Sequence, residues 1–130
     1  MPLVRITVAR GFGPERLSGL GAGIHQALVS VANAPADDRF QVIEEVPAEH
    51  LVWPPQYLGI PHRAPLVFIQ VFMNTGRTVE VKKALYAALA DAAAAAVPVR
   101  REDVIVNLVE VARENWSFGG GQMSYPPANG

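Results

Sequence analysis

Residues 66–72 read Leu-Val-Phe-Ile-Gln-Val-Phe, an apolar run that is interrupted only by Gln70. A short run of this kind, without alternation of apolar and polar residues, is typical of a β-strand that is buried on both faces. Such a strand needs neighbouring strands on its edges and cover on both faces. Residues 66–72 therefore predict a central strand, and the flanking sequence is interpreted around it.

The segment that follows the central strand predicts a helix and a second strand. Thr78 is placed to cap a helix over Val79–Ala96, because a Thr side chain can accept a hydrogen bond from a free N–H of the first turn. Pro98 ends this helix. The segment Val104–Val111 then alternates enough to predict a strand, so that residues 66–111 form a β-α-β unit.

The amino-terminal part of the chain has the same layout. Leu3–Ala9 predicts a strand that starts almost at the first residue, and Phe40–Val46 predicts another. Between them, Pro14 suits the first helical position, and Pro35 stops a helix that is expected to run to Asn33. The apolar residues of this helix recur at helical spacing: Leu17, Leu20, Ile24, Leu28 and Val31. Residues 2–46 are thus predicted to form a second β-α-β unit.

The two units are an internal duplication in layout. The strand starts Leu3 and Leu66 are separated along the chain by nearly the same distance as the acidic corners Asp38 and Asp103. Right-handed crossovers would place both helices on one face of a shared sheet. The predicted fold is therefore α+β, with tandem β-α-β units, a four-stranded mixed sheet and two helices on one face.

A single domain over residues 1–130 is expected, with two segments outside the units. Residues 47–65 contain five prolines and support neither the helical nor the strand period, which predicts a long packed or functional loop. Residues 112–130 are expected to form a carboxyl-terminal hairpin or tail around the turn at 119–121. The apolar strands 66–72 and 104–111 leave the second face of the sheet without a helix, so another copy of the chain is expected to cover it.

Composition excludes several classes of function. The 130 residues carry 11 Lys+Arg and 12 Asp+Glu without a basic run, so no nucleic-acid partner is expected. No apolar run is long enough for a membrane span, and the start of the chain does not resemble a secretory signal, so we expect a cytoplasmic protein without a membrane partner. The absence of Cys excludes thiolate chemistry, and the three histidines, His25, His50 and His62, lack metal-ligand spacing, so no metal is expected.

Pro2 is the residue that suggests chemistry. Removal of Met1 would expose a secondary amine, which can act as a base, as an ammonium donor or as a nucleophile that forms an iminium. An α-amino group titrates around pH 8 in peptides, so a nearby cation or burial would shift it toward the neutral form and a nearby carboxylate would keep it protonated. The neighbours of Pro2 therefore decide its role.

Three further blocks carry a family resemblance. They are residues 35–41, Pro-Ala-Asp-Asp-Arg-Phe-Gln; residues 71–72 followed by 76–80, Gly-Arg-Thr-Val-Glu; and residues 115–119, Asn-Trp-Ser-Phe-Gly. Together with the amino-terminal Pro and the two β-α-β units, these blocks resemble the tautomerase superfamily, and within it the malonate semialdehyde decarboxylase group. The resemblance covers nearly the whole chain.

The resemblance implies a homotrimer and an active site. Pro2 matches the catalytic amine, Asp38 the acidic residue beside it, and Arg77 the arginine that binds the substrate carboxylate; Trp116 and Phe118 match the aromatic wall of the pocket. The implied activity is decarboxylation of a small oxo acid, malonate semialdehyde, to acetaldehyde and carbon dioxide without metal or organic cofactor. Thr75 departs from the family, where some decarboxylases carry a second arginine.

Other interpretations use the same residues. Asp38 could cap the turn before a strand, Arg77 could be an exposed residue near a helix start, and Trp116 and Phe118 could be core or interface aromatics. If Pro2 is neutral near pH 7, the site would act as a keto-enol tautomerase of 2-oxo acids such as phenylpyruvate, with possible promiscuous hydratase activity. A third alternative is a non-enzymatic trimeric binding module.

Overall fold

The computed structural model describes residues 2–128, so the expected removal of Met1 concerns a residue outside this range. The first unit consists of β1 (Leu3–Ala9), α1 (Pro14–Val31) and β2 (Phe40–Val46). Both strands have the predicted bounds. Helix α1 ends two residues earlier than expected, because Ala32 leaves the helical path and Asn33 adopts a left-handed conformation with φ of 60°.

The segment between the units contains a short hairpin that periodicity does not reveal. Strands β3 (Gln56–Tyr57) and β4 (Ile60–Pro61) pair in antiparallel fashion across a turn in which Leu58 and Gly59 have positive φ. Two residues per strand are too few to show an alternating pattern. A single turn of 3-10 helix, Ala48–His50, precedes this hairpin.

The second unit consists of β5 (Val67–Asn74), α2 (Val79–Ala96) and β6 (Val104–Val111). The helix and the last strand have the predicted bounds, and Thr78 caps α2 as expected, since its Oγ1 accepts a hydrogen bond of 3.2 Å from the Val81 N–H. Strand β5 is longer than predicted. Asn74, two residues beyond the predicted end of this strand, is its last residue and pairs with Val111.

The four long strands form one mixed sheet in the order β2-β1-β5-β6. Strands are parallel within each unit and antiparallel where β1 meets β5, with Leu3 opposite Phe72 and Val8 opposite Val67. The predicted α+β fold class is confirmed. The starts of β1 and β2 lie at the same end of the sheet as the finishes of β5 and β6, and we call this end the Pro2 end.

Both helices pack on one face of the sheet, as predicted. Alternate residues of the two central strands are buried beneath them: Val4, Ile6, Val8, Val67, Ile69, Val71 and Met73. The helices contribute Leu20, Ile24, Leu85 and Leu89 to the same core. Gly23 allows the helices to approach closely, because a Cβ atom added there would lie 3.4 Å from the Ala92 Cβ. This core holds the two units together.

The other face of the sheet carries no helix. Residues 47–65 cross it at the end opposite Pro2, where a cavity of about 340 Å³ separates the loop residues His50, Leu51 and Val52 from Phe68 and Asn107 on the sheet. On the exposed edge strand β2, Phe40 and Val42 remain largely accessible. The loop therefore covers only part of this face.

The tail after β6 packs without further strands over its described residues, 112–128. It contains a single 3-10 turn, Arg113–Asn115, and a glycine turn at 119–121 in which all three residues have positive φ. Among residues 2–128, neither helix has the length and apolarity needed to cross a bilayer. The same residues contain no group of three His, Asp or Glu side chains arranged to hold a metal ion.

The duplication extends beyond the strands. We call the separation in sequence between Asp38 and Asp103 the repeat offset. The same offset relates the helix starts, Pro14 and Val79, and the starts of the 3-10 turns after β2 and β6, Ala48 and Arg113. A single repeat offset therefore relates the two units, and with them the two ends of the sheet.

Candidate active site

Pro2 lies at the centre of the sheet edge. It is buried and directly precedes β1, whose first residue, Leu3, pairs with Phe40 on one side and Phe72 on the other. Continuing the antiparallel register by one residue places Pro2 beside Met73. The backbone nitrogen of Pro2 is thus surrounded by strand ends from both units.

Asp38 is a buried carboxyl group that accepts no hydrogen bond from residues 2–128. Only 5% of the residue is accessible, and neither side-chain oxygen has a hydrogen-bond donor among residues 2–128. Burial is the main cause of the raised pKa of Asp38; the charge of the amino terminus and that of His25 act to lower this pKa, and the neighbouring Asp37 carboxylate raises it. Because Asp38 precedes Phe40 by two residues, it lies at the Pro2 end. A buried carboxylate without a donor is costly, so this position calls for a cation.

Asp103, the counterpart of Asp38 in the second unit, has the opposite environment. It accepts hydrogen bonds from Arg100 Nε at 2.7 Å, from Arg100 Nη2 at 3.1 Å and from the Arg63 N–H at 3.0 Å. Burial alone would raise the pKa of Asp103, but the bonds from Arg100 and Arg63 lower it overall. Asp103 therefore fastens the corner before β6. The side chain of Asp38 caps no N–H in the described structure, so the turn-cap interpretation does not extend to it.

Arg77 lies between the end of β5 and the start of α2. Its Nη1 donates to the Asn74 carbonyl at 3.1 Å and its Nη2 donates to the Ala32 carbonyl at 3.0 Å. A guanidinium group has five N–H donors, so three remain for a ligand. A cation near the start of α2 is unfavourable for the dipole of that helix. The bond to Ala32 offsets this, because it places the Arg77 charge at the carboxyl end of α1, where a cation is favourable.

No carboxylate within residues 2–128 forms an ion pair with Arg77. Glu110 is near enough for the Arg77 charge to contribute to its lowered pKa, but the main cause is the hydrogen bond from Lys82, at 2.8 Å. Arg77 also lines an open cavity of about 400 Å³ together with Asn33, Thr75 and Thr78. A guanidinium held by neutral carbonyls at a cavity is suited to bind an anion.

Trp116 and Phe118 form an aromatic wall after β6. Their rings stack with centroids 5.1 Å apart, and Phe40 contacts Phe118 at the same centroid distance. The tail folds back onto this wall: Ser124 Oγ accepts a bond from the Phe118 N–H at 2.9 Å, and Tyr125 meets the Phe118 ring edge-on. The wall therefore joins the start of β2 to the carboxyl-terminal tail.

Asn74 connects the aromatic wall to Arg77. Its side-chain oxygen accepts a short bond of 2.6 Å from Trp116 Nε1, while its backbone carbonyl accepts the bond from Arg77. Sequence reasoning missed Asn74, since an Asn close before a Gly resembles an ordinary turn residue. It also assigned no role to Phe40 beyond its strand. No local pattern marks either contact, because both partners come from distant segments.

The structure thus brings the five predicted residues to one end of the sheet but joins them unequally. Arg77 and Trp116 share Asn74, and Trp116 stacks on Phe118. Pro2 lies near the aromatic wall, because the next residue, Leu3, pairs with Phe40, and Phe40 contacts Phe118. The cavity beside Arg77 is lined by neither Pro2, Asp38 nor the aromatic wall.

Comparisons with known proteins point to one family. Two family models, each described as a tautomerase enzyme, match residues 38–119 and residues 2–59. The probable tautomerase YusQ of Bacillus subtilis (strain 168) is 36% identical over 122 residues, which cover 94% of this chain and 96% of that protein. The probable tautomerase YrdN of the same strain is 30% identical over 125 residues, covering 96% of each.

Solved structures give the same grouping. The malonate semialdehyde decarboxylase FG41, inhibited by 3-bromopropiolate, superposes with a TM-score of 0.87 and 32% identity, over 95% of this chain and 93% of that one. A fused 4-OT described as a symmetric trimer superposes with a TM-score of 0.78 and 25% identity, over 93% and 94% of the two chains.

The contrast between the two acids generates a prediction about stability. In a chain whose Pro2 follows another residue, the Pro2 nitrogen carries no hydrogen and cannot donate to Asp38. We expect Asp38→Asn to raise the free energy of unfolding of such an extended chain by about 1–2 kcal/mol at pH 7, because it removes an unpaired buried charge. Asp103→Asn should lower that free energy by about 1–3 kcal/mol, because it removes the buried charge that accepts hydrogen bonds from Arg100 and from the Arg63 N–H.

Urea unfolding over a pH series would check the sign. The folded pKa of Asp38 is raised, so the extended wild-type chain should lose stability relative to Asp38→Asn as the pH rises from the ordinary value of 3.8 through the raised pKa. The folded pKa of Asp103 is lowered, so its contribution should be present above 3.8 and lost as the pH falls through the lowered pKa. Equal signs for the two substitutions would contradict the prediction.

Proposed function

The chain belongs to the tautomerase superfamily, and on that premise we propose that it is a cofactor-independent decarboxylase of a small 3-oxo acid, with Pro2 as its catalytic group. The proposed reaction converts malonate semialdehyde to acetaldehyde and carbon dioxide. Likeness to malonate semialdehyde decarboxylase over 95% of the chain supports the choice of substrate class. The assignment of roles rests on the residues at the Pro2 end.

The unpaired Asp38 carboxylate is the observation that carries the proposal. Its two oxygens have no donor in residues 2–128, although only 5% of the residue is accessible. Removal of Met1 would convert the Pro2 nitrogen from an amide without a hydrogen into a secondary ammonium with two N–H donors at the same end of the sheet. That ammonium would satisfy Asp38, and Asp38 would in turn keep Pro2 protonated at neutral pH.

Decarboxylation requires an acceptor for the electron pair of the breaking bond. In a 3-oxo acid, the bond between the carboxylate carbon and its neighbour breaks, carbon dioxide leaves, and the electron pair moves into the enol of the remaining carbonyl group. A protonated Pro2 that donates to the carbonyl oxygen stabilises the charge that develops there. Return of a proton to the carbon then yields the aldehyde, so the step consumes one proton and needs no oxidant.

Arg77 and the aromatic wall would orient the substrate. Arg77 retains three N–H donors and has no carboxylate partner in the described chain, so it can anchor the substrate carboxylate. The stacked rings of Trp116 and Phe118 would exclude water from one side, which favours departure of neutral carbon dioxide. Asn74 would fix the position of Arg77 relative to Trp116, since it accepts a hydrogen bond from each.

A keto-enol tautomerase of 2-oxo acids is the second candidate. Two relatives that match nearly the whole chain are called probable tautomerases, and Thr75 stands where some decarboxylases carry a second arginine. In that reaction a neutral Pro2 would move a proton between oxygen and carbon, with Arg77 again binding the carboxylate. The charge on Pro2 therefore separates the two candidates.

We also propose a homotrimer, in which other copies cover the sheet face that carries no helix. Fused 4-OT, which matches 93% of the chain, is described as a trimer. Sedimentation equilibrium at micromolar concentration should give three times the 14.0 kDa mass of the chain. A stable monomer would contradict the assembly without touching the assignment of Pro2.

Pro2→Ala should lower turnover of malonate semialdehyde by at least about 100-fold, because it replaces the secondary amine that is proposed to donate the proton. Intact-mass spectrometry must first show that Met1 has been removed from the wild-type chain and from the variant. Pro98→Ala, at the end of α2, is the matched control and should retain activity. Unchanged turnover in Pro2→Ala would refute the role of Pro2.

Asp38→Asn should separate the two reactions. Loss of the carboxylate lowers the pKa of the Pro2 amine, so decarboxylation of malonate semialdehyde should fall strongly while tautomerisation of phenylenolpyruvate at pH 7 is retained or improved. Arg77→Ala should impair both reactions, since both substrates carry a carboxylate. Asp37→Asn controls for loss of an adjacent charge. The measurement is a pH-rate profile for each substrate, and intact decarboxylation in Asp38→Asn would remove Asp38 from the mechanism.

A further inference from the structure

The end of the sheet opposite Pro2 contains a pocket that the proposed reaction does not use. It has a volume of about 260 Å³, slightly below the roughly 300–1,000 Å³ that is typical of small-ligand pockets. Its walls are apolar and aromatic, and they come from the loop and from the starts of β5 and β6: Val52, Trp53, Pro54, Tyr57, Leu66, Phe68 and Ile105. His62 is the remaining lining residue, and its imidazole and the Tyr57 hydroxyl are the polar side-chain groups of the lining.

The duplication relates this pocket to the Pro2 end. At the repeat offset, Trp53 corresponds to Phe118, Phe68 to Leu3 and Ile105 to Phe40. Asp103 corresponds to Asp38 in the same way. The second pocket therefore repeats one residue of the aromatic wall, Phe118, while Leu51 stands at the position of Trp116, and the counterpart of the buried acid lies beside the lining residue His62.

The two groups that would perform chemistry are not repeated. Val67 stands at the position of Pro2, and its nitrogen is a peptide amide within β5. Phe12 stands at the position of Arg77, so the opposite end has no counterpart of that guanidinium. The opposite end therefore has a pocket, but at the positions of Pro2 and Arg77 it has neither an amine for proton transfer nor a cation to bind a substrate carboxylate.

The charged groups behind the pocket wall, one of which contacts the lining residue His62, define what the pocket can bind. Arg100 neutralises Asp103 through two hydrogen bonds, at 2.7 and 3.1 Å. His62, whose side chain is 8% accessible, has its Nδ1 atom 3.5 Å from Asp103 Oδ1. This contact is not a hydrogen bond, and Nδ1 has no other hydrogen-bond partner among residues 2–128. The nearby Asp103 carboxylate favours the tautomer that carries its proton on Nδ1, because an ionised carboxylate only accepts hydrogen bonds. In that tautomer Nε2 is an acceptor.

We propose that this pocket is a second, non-catalytic binding site for a small uncharged aromatic molecule that carries one hydroxyl group, of the phenol class. The ring would lie against Trp53 and Phe68, and the hydroxyl would donate to His62 Nε2. An uncharged ligand fits because Asp103 and Arg100 already balance each other and Phe12 replaces the anchoring cation.

The two tryptophans allow each end of the sheet to be observed separately. The sequence contains two Trp residues, Trp53 in the pocket and Trp116 at the Pro2 end. In Trp116→Phe, titration with phenol should change the remaining Trp53 fluorescence in a saturable way. In Trp53→Phe, the Trp116 signal should not follow the same curve. Pro2→Ala should leave the Trp53 response unchanged, which separates this site from the proposed activity.

Matched ligands test the hydrogen bond to His62. Toluene has the ring without the hydroxyl and benzoate replaces the hydroxyl by a charge, so both should bind more weakly than phenol. In His62→Phe, the preference for phenol over toluene should fall by about fivefold, the value of one neutral hydrogen bond. If this variant does not fold, the ¹⁵N shift of His62 Nε2 in the Trp116→Phe chain should respond to phenol and not to toluene.

Three results would overturn the proposal. They are a Trp53 signal that does not saturate with phenol, equal affinity for phenol and toluene in the chain with His62, and an unchanged preference in His62→Phe. Benzoate binding as tightly as phenol would replace the uncharged ligand class by an anionic one.

Discussion

The antiparallel pairing of β1 with β5 is the constraint on which the candidate active site depends. Each β-α-β unit is parallel within itself, so this one junction decides which strand ends meet. It places the start of the first unit, with Pro2 and Phe40, beside the finish of the second, with Asn74 and Arg77. A slip of one residue would turn Val4 and Val71 out of the core, so the register that buries the core also assembles this end.

The duplication then supplies two ends with the same framework and different chemistry. Arg100, which holds Asp103, corresponds at the repeat offset to Pro35, a residue whose side chain cannot donate a hydrogen bond. The buried acid is therefore hydrogen-bonded at one end, whereas at the other it has no hydrogen-bond donor among residues 2–128. The bonds from Arg100 and from the Arg63 N–H distinguish Asp103, a structural carboxylate, from Asp38, and this is why the two acids have pKa values shifted in opposite directions.

Arg77 shows how one side chain can serve the fold and a ligand together. Two of its donors bind the carbonyl groups of Ala32 and Asn74, which fixes the guanidinium between the end of α1 and the end of β5. Neutral carbonyls orient the charge without cancelling it, and Lys82 engages the nearby Glu110. The group is thereby preorganised for an anion, which reduces the entropy lost on binding.

The sequence by itself determined the elements and the fold class. Periodicity and the stop signals located β1, β2, α2 and β6 at their observed bounds, because alternation, helical spacing and proline act over a few neighbouring residues. The same local signals place α1 and β5 within two residues of their ends. Family resemblance, carried by short blocks, indicated Pro2, Asp38, Arg77, Trp116 and Phe118 as site residues.

Tertiary structure alone decided how those residues are connected. Three features could not be predicted from the chain. Asn74 joins Arg77 to Trp116, and a hairpin lies within residues 47–65. Asp38 has no hydrogen-bond donor within the described part of the chain, whereas Asp103 has three. Each depends on groups that are distant in sequence and meet only when the strands are in register. A local pattern carries no record of such partners, because hydrogen bonding and desolvation depend on distance in space.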